Sequence, residues 1–174
     1  MTTPTAKTRR LQQADQAHVW HPFTPMRLWL DTPPLVIERG EGFCLIDTEG
    51  RRYIDGVSSL WCNVHGHRVA ELDAALREQL ENIAHTTLLG LAGPPSIELA
   101  GRLVKAASPG GGLTRVFYSD AGATAVEIAA KIAYQYWQNL GQARRTRFIA
   151  FREGYHGDTI GSVSLGGIDT FHRV

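Results

Sequence analysis

Cysteine is scarce in this chain of 174 residues, which holds only Cys44 and Cys62. Their spacing matches no CxxC pattern, so neither a disulfide framework nor a zinc knuckle is indicated. An excess of one charge is also missing: 18 Lys and Arg offset 17 Asp and Glu, for a net charge of +1. Bulk charge therefore gives no reason to expect binding to nucleic acid or an anionic membrane. No apolar run approaches the roughly 20 residues that a membrane-spanning helix needs.

The N-terminal residues 1–17 are mostly polar and are predicted to be frayed or only weakly helical. They lack the apolar core of a secretory signal peptide, so a cytoplasmic location is expected. The next segment, residues 18–26, is rich in aromatic side chains and is broken by Pro22 and Pro25. This pattern predicts an irregular loop rather than a helix.

Three short β-type runs follow, separated by turns that contain glycine. They are Val36–Glu38, Phe43–Ile46 and Tyr53–Ile54, and they predict a small antiparallel meander. Apolar residues at helical spacing then cover 70–83, and a Gly/Pro-rich stretch at 90–95 marks a boundary. The interpretation is a first domain over residues 1–92, which holds the N-terminal segment and part of a small domain, and a second domain over 93–174.

The second domain alternates between strand and helix patterns after a first helix that ends near Ala107. Strands are predicted at Thr114–Tyr118 and Arg147–Phe151, with a helix over Ala125–Tyr136 between them. This alternation indicates an α/β fold with a parallel sheet. Two strands do not make a stable sheet, and the chain reaches Val174 without a structural stop signal. The second domain is therefore expected to be the beginning of a larger one.

The most informative stretch is residues 117–127, where a strand ends, a turn of small residues follows and a helix begins. Ligands of open α/β sheets bind beyond the carboxyl ends of the strands, and a helix N-terminus offers unpaired N–H groups. Gly122 and Ala123 are small enough for a phosphate to approach the backbone there. Thr124 and Glu127 also match a capping box, which needs no ligand, so both interpretations stay open.

A second turn, Glu153–Thr159, follows the next predicted strand and is expected at the same edge of the sheet. Its Tyr155 is suited to stack on a flat cofactor ring. An alternative is a metal site formed by histidines 65, 67 and 156 with Asp158. No HExxH motif, GxSxG motif or P-loop lysine accompanies these residues.

Taken together, these segments resemble the adenosylmethionine-8-amino-7-oxononanoate (diaminopelargonate) aminotransferases, which are subgroup III aminotransferases of the fold-type I pyridoxal-phosphate enzymes. The resemblance runs in order along nearly the whole chain. The segments that carry it are His18-Val19-Trp20-His21-Pro22-Phe23, Asp55-Gly56-Val57-Ser58-Ser59-Leu60-Trp61, Asn63-Val64-His65-Gly66-His67, Ser119-Asp120-Ala121-Gly122-Ala123, Tyr134-Gln135-Tyr136-Trp137 and Gly154-Tyr155-His156-Gly157-Asp158-Thr159.

The resemblance implies an α/β fold of fold type I, pyridoxal 5'-phosphate as cofactor, and amino transfer to 8-amino-7-oxononanoate in biotin biosynthesis. Gly122, Ala123 and Thr124 would hold the cofactor phosphate, and Tyr155 and His156 would lie beside the cofactor. The family resemblance also implies a homodimer.

Substrate contacts are implied for Phe23, Leu60 and Trp61, together with Tyr155. Phe23 stands where many members of the family have tyrosine, and Leu60 stands where many have a second tryptophan. These departures leave either S-adenosylmethionine or lysine as the amino donor. A third departure is Ala123, which stands where serine is common and removes a hydroxyl donor to the phosphate, a loss of about 1 kcal/mol.

The Schiff-base lysine of the family lies beyond residue 174, so no catalytic residue is assigned in this chain. Lys7, Lys105 and Lys131 are the only lysines, and none is placed for that role. The chain alone is expected to be catalytically silent. Three rivals stay open: another subgroup III ω-aminotransferase, a non-catalytic module that binds a phosphorylated ligand, and a metal hydrolase.

Overall fold

The computed structural model describes residues 3–168 of the chain. The residues from Phe171 to Val174, on which the expectation of an unfinished second domain partly rested, lie outside the described range. Compact packing divides the chain between Thr86 and Thr87 into two units. The assignment of domains to 1–92 and 93–174 stays a prediction about the complete fold. None of the helices within residues 3–168 has the length and apolar character needed to cross a bilayer.

The first unit opens with a well-formed helix, α1, Ala6–His18, so the expectation of a frayed N-terminus is wrong. Thr5 caps this helix, because its side chain accepts a hydrogen bond from the Thr8 N–H. Glu49, from a turn of the sheet, accepts from the Thr5 N–H at 2.9 Å and from the hydroxyls of Thr5 and Thr8. The cap and this carboxylate satisfy donors that an isolated polar helix would leave to water.

An aromatic loop follows α1 and leads into the short helix α2, Met26–Asp31, so the predicted irregular loop is confirmed between the two helices. The Asp15 carboxylate organises it. Its oxygens lie 2.9 and 3.1 Å from His21 Nε2, and it accepts from the Trp29 indole N–H at 2.9 Å. The His21 and Trp29 rings also pack together, with centroids 4.1 Å apart. One carboxylate of α1 therefore ties both the loop and α2 to the first helix.

The predicted meander is confirmed as a three-stranded antiparallel sheet of order β1-β2-β3. Its strands are β1, Ile37–Glu41, β2, Cys44–Asp47, and β3, Arg52–Ile54. In the β2–β3 pair, Cys44 lies opposite Ile54 and Ile46 lies opposite Arg52. Ile46 is fully buried and forms the apolar centre of the unit. The unit continues with α3, Ser58–Trp61, and with α4, Ala70–Asn82, which matches the predicted helix.

The second unit contains α5, Pro94–Ala107, α6, Gly122–Asn139, and the short α7, Ile160–Leu165. The predicted strands at Thr114–Tyr118 and Arg147–Phe151 do not form, because these segments have no ladder of backbone hydrogen bonds within residues 3–168. A strand needs a neighbour, and the two segments do not pair with each other. Tyr118 is nevertheless anchored, since its hydroxyl donates to the Ser96 carbonyl at 2.6 Å.

Candidate cofactor-phosphate and substrate sites

Helix α6 begins at Gly122, three residues before the start that the apolar pattern suggested. Ala121 is its N-cap, and Thr124 is the third residue of the helix rather than its cap. The Thr124 hydroxyl oxygen accepts from the Ala121 N–H at 3.1 Å, and it lies 2.7 Å from Asp120 Oδ1. The proposed capping box of Thr124 with Glu127 is therefore wrong. The reversed contact at Thr124 closes the start of the helix, and Glu127 is left for another role.

The first turn of α6 leaves donors available for an anion. Within residues 3–168, the backbone N–H groups of Gly122, Ala123 and Thr124 have no acceptor. A side chain added at Gly122 would meet nothing within 4 Å, so the space over this turn is open. Three unpaired N–H groups at the positive end of an 18-residue helix have the donor chemistry that a phosphate needs.

The second turn packs directly against this helix start. Gly157 is buried and has φ of +119°, and a Cβ at this position would lie 2.6 Å from Ala123 Cα. Only glycine tolerates both that conformation and that approach. The structure therefore brings the Gly154–Thr159 motif against the Gly122–Thr124 turn.

Glu127 links α6 to α7, the helix that follows the second turn. Its carboxylate accepts from the Gly161 N–H at 2.9 Å, in the first turn of α7. Hydrogen bonds from Thr159 and from the Gly161 backbone hold the pKa of Glu127 below its ordinary value. The charged carboxylate therefore acts as a second cap for α7, beside Thr159, whose side chain accepts from the Ser162 N–H.

Tyr155 and His156 have different environments. The Tyr155 hydroxyl donates to Asp158 Oδ2 at 2.6 Å, and this hydrogen bond raises the pKa of Tyr155. Tyr155 is about half exposed, so one side of it is free for a ligand. His156 instead lines an apolar cavity between α6 and residues 148–151, and its Nε2 is buried without a partner in the described chain.

Of the four predicted substrate residues, Tyr155 lies in the second unit, and the other three lie in the first unit and are exposed. Phe23 is 70% exposed, Leu60 is 62% exposed and Trp61 is 74% exposed. Leu60 and Trp61 belong to α3, in which four consecutive residues have positive φ, between 45° and 71°. A left-handed turn of this kind costs about 1–2 kcal/mol per residue for L-amino acids, so the surrounding structure has to hold it in place.

The metal alternative has no support within residues 3–168, where no group of three or more His, Cys, Asp or Glu side chains is arranged to bind an ion. His67 is engaged in protein hydrogen bonds instead, with Asp55 and Asn63. The three lysines lie at separate positions: Lys7 pairs with Glu38, Lys105 is in the last turn of α5, and Lys131 lies within α6.

Comparison with known proteins places this geometry in a family. The class-III aminotransferase family model matches residues 27–173. An adenosylmethionine-8-amino-7-oxononanoate aminotransferase of Nitratidesulfovibrio vulgaris is 60% identical over 171 residues, which is 97% of this chain and 31% of that protein.

Solved structures agree with this match. A crystal structure of the adenosylmethionine-8-amino-7-oxononanoate aminotransferase from Methanocaldococcus jannaschii superposes with a TM-score of 0.91 at 48% identity, over 95% of this chain and 37% of that one. The omega transaminase from Pseudomonas jessenii in complex with PMP gives a TM-score of 0.87 at 32% identity, over 94% of this chain and 36% of that one.

The chain spans about a third of the length of the relatives it matches. Over that third, the expected fold type I is confirmed. The recognised family is confirmed too, and the chain belongs to the class-III aminotransferases.

Proposed function

We propose that this chain forms the phosphate-binding part and one wall of the substrate pocket of a pyridoxal-phosphate-dependent aminotransferase. The reaction is amino transfer to 8-amino-7-oxononanoate, which gives 7,8-diaminononanoate, with S-adenosylmethionine or lysine as donor. The observation that carries the proposal is the start of α6, where three N–H groups lack an acceptor and Gly157 packs on Ala123. The relatives named for this reaction give the substrate. The homodimer and the cytoplasmic location stay predictions.

At the proposed cofactor site, some residues would bind the phosphate and others would orient the ring. The N–H groups of Gly122, Ala123 and Thr124 would bind the phosphate, while the Thr124 hydroxyl closes the helix start. Tyr155, oriented by Asp158, would lie beside the ring. Pyridoxal phosphate, when bound, supplies the electron sink for amino transfer. His156 would support this arrangement by packing under the turn that carries Tyr155.

The wall of the substrate pocket would come from Phe23, Leu60 and Trp61. Their exposed apolar faces suit the long aliphatic chain of an amino-oxononanoate. Because Phe23 lacks a tyrosine hydroxyl and Leu60 lacks an indole N–H, this wall has two fewer hydrogen-bonding groups. A donor recognised mainly by apolar contact fits such a wall better than one recognised by many hydrogen bonds.

The phosphate site is tested by titrating pyridoxal phosphate and inorganic phosphate into the purified chain and two variants. Ala123→Glu places a carboxylate at the helix start, and Ala123→Gln has the same shape without the charge. Repulsion at an anion site is expected to cost the Glu variant at least about ten-fold in affinity relative to the Gln variant, or about 1.4 kcal/mol. Equal affinity in both variants would contradict phosphate binding at this turn.

The reaction is tested in a chimera that joins residues 1–174 to the remainder of the Nitratidesulfovibrio vulgaris relative. We expect turnover of 8-amino-7-oxononanoate, with S-adenosylmethionine and lysine compared as donors. The purified chain alone is expected to give none, because none of its lysines lies at the proposed site. Turnover by the chain alone would refute that hypothesis.

A second candidate within the same family is an ω-aminotransferase of broader substrate range. The Pseudomonas jessenii omega transaminase shares the fold at 32% identity, and the changes at Phe23 and Leu60 alter side chains that would select the substrate. A panel of amino acceptors offered to the same chimera separates the two. Preference for simple aldehydes and ketones over 8-amino-7-oxononanoate would select the second candidate.

A further inference from the structure

The exposed turn α3 is bound to a buried carboxylate that the proposed function does not use. Asp55 follows β3 directly, and its backbone N–H donates to the Phe43 carbonyl at 2.9 Å, so the sheet fixes its position. Its side chain is only 4% exposed. This buried group lies three residues before Ser58, the first of the four left-handed residues, which include Leu60 and Trp61.

Three donors converge on the two oxygens of Asp55. The Ser59 N–H donates to Oδ1 at 2.8 Å, and the Ser59 hydroxyl donates to Oδ2 at 2.8 Å. His67 Nε2 donates to Oδ2 at 2.9 Å. The hydrogen bonds from the Ser59 backbone and hydroxyl lower the pKa of Asp55, so it stays a carboxylate and can accept all three.

His67 is itself fixed from two sides. The Asn63 side-chain amide donates to its Nδ1 at 2.8 Å, which leaves Nε2 as the nitrogen that carries the proton towards Asp55. The ring packs on Gly40, where an added Cβ would lie 2.6 Å from Nδ1. The His67 N–H also donates to the Gly42 carbonyl at 2.7 Å. The imidazole is therefore a rigid link between β1 and Asp55.

The backbone of α3 also has hydrogen bonds of its own, among them one from the Ser58 N–H to the Asp55 carbonyl at 3.2 Å and one from the Cys62 N–H to the Ser58 carbonyl. The Trp61 N–H donates to the Val57 carbonyl at 2.9 Å, and the Asn63 N–H donates to the Ser58 carbonyl at 3.0 Å. A left-handed turn of L-residues relaxes to other conformations unless external contacts hold it. The contacts on Ser59 are the ones that tie the middle of the turn to the sheet.

We infer that Asp55 and His67 are positioning residues that hold α3 in its left-handed conformation and so fix where Leu60 and Trp61 meet the substrate. The inference rests on the proposed function, in which those two side chains form part of the substrate pocket. It assigns Asp55 and His67 an effect on substrate affinity and none on cofactor binding.

The test compares the same chemical change at two buried aspartates in the chimera. Asp55→Asn leaves one oxygen for three donors, so Ser59 or His67 faces an amide N–H₂ instead. Asp47→Asn is the matched control, since Asp47 is also buried and accepts from Arg51 and Tyr53 at the other end of the β2–β3 hairpin. Kinetics, thermal melting and pyridoxal-phosphate affinity are measured for each variant.

Asp55→Asn is expected to raise the KM for the amino acceptor about ten-fold or more, with kcat within about three-fold and cofactor affinity within about two-fold. Asp47→Asn is expected to lower the melting temperature at least as much as Asp55→Asn does, while its KM for the amino acceptor stays within about two-fold of the unsubstituted value. His67→Leu is expected to repeat the Asp55→Asn effect. His67→Gln, which keeps a donor for Asp55, is expected to recover part of it.

The outcomes that would overturn the positioning inference differ from those that would overturn the proposed function. If Asp55→Asn leaves the KM unchanged, or if Asp47→Asn raises it equally, the positioning inference is overturned. If Trp61→Ala leaves the KM of an active chimera unchanged, the assignment of this turn to the substrate pocket fails first. An unsubstituted chimera that binds cofactor but turns over no acceptor contradicts the proposed function. An NMR signal of fluorinated Trp61 that keeps its position in Asp55→Asn would also count against the inference.

Discussion

The two units each present an exposed turn, but the hydrogen-bond donors of the two turns are used in opposite ways. In α3 of the first unit, both donors of Ser59 are taken by one buried carboxylate, Asp55. At the start of α6 in the second unit, three successive N–H groups have no acceptor in the described chain. In the first turn the protein satisfies the Ser59 donors, and the exposed groups are the Leu60 and Trp61 side chains. In the second turn the exposed groups are backbone N–H donors.

Under the proposed function, the difference in donor use would reflect two kinds of recognition. An aliphatic substrate is bound by shape, so the side chains that meet it have to be held still from behind. An anion is bound by N–H groups, so those groups have to be kept unpaired and the helix start has to be stabilised by other means. Thr124, Glu127 and Gly157 supply that support around the open turn.

The largest expected effect is the unfolding of the first unit at acidic pH. Burial alone would raise the pKa of Asp47, but hydrogen bonds from Arg51 and Tyr53 outweigh it and leave that pKa below its ordinary 3.8. Bonds from Ser59 lower the pKa of Asp55 in the same way. A depressed carboxyl pKa contributes stability that is present above the ordinary value and lost as the pH falls through the folded value.

We therefore expect the first unit to lose its NMR amide signals as the pH falls below about 4, and Asp47→Asn to weaken that pH dependence. The second unit is expected to respond less, because its carboxyls with lowered pKa are the exposed Asp120 and the half-buried Glu127, whereas Asp47 and Asp55 are almost fully buried. Simultaneous loss of both units with an unchanged slope in Asp47→Asn would contradict this account.

The next effect in size is Gly157→Ala, which attacks the open turn. The added methyl meets Ala123 and requires φ of +119°, so about 2–4 kcal/mol of stability of the second unit is expected to be lost. Pyridoxal-phosphate affinity should fall with it. Gly110→Ala is the control, since its Cβ meets nothing within 4 Å and it is expected to change stability by less than about 0.5 kcal/mol. Urea unfolding monitored by NMR measures both.

Much of the fold could be predicted from local pattern. The meander, the helix over residues 70–83 and the placement of a helix after the Gly122 turn follow from periodicity and turn residues. The strands at 114–118 and 147–151 could not be settled in this way, because a strand exists only with a hydrogen-bonded neighbour. The N-terminal helix was missed because its stability comes from Glu49, more than 40 residues away.

The residues of the candidate site also differ in how far their roles could be predicted from the sequence. Gly122, Ala123 and the Tyr155 motif could be singled out by residue type, while the capping role of Glu127 needs its contact with Gly161, 34 residues on. Asp55 lies within a recognised motif but had no assigned role. An aspartate directly after a predicted strand, with serines three and four residues later, is the sequence signal for such a role, since its carboxylate can accept from their N–H and hydroxyl groups.

Glycine substitution distinguishes the left-handed turn from an ordinary helix. Leu60 and Leu76 are similarly exposed, at 62% and 67%, but Leu60 has φ of +61° and Leu76 lies within α4. Leu76→Gly is expected to cost about 1 kcal/mol, as in any helix interior. Leu60→Gly is expected to be neutral or to stabilise by up to about 1 kcal/mol, because glycine relieves the strain. Equal losses in urea unfolding would mean that α3 is not strained.

An effect of similar size separates the cap of α6 from its anion site. Thr124→Val removes the hydroxyl that accepts from the Ala121 N–H and contacts Asp120, so a loss of about 0.5–1.5 kcal/mol in stability is expected. Thr124→Ser keeps the hydroxyl and should recover most of it. Under the proposal, Thr124 would offer the phosphate its backbone N–H, so affinity for pyridoxal phosphate in Thr124→Val is expected to stay within about three-fold by fluorescence titration. A loss of affinity far beyond three-fold would instead place the hydroxyl itself on the phosphate, and the Asp120 contact would then have to open when the anion binds.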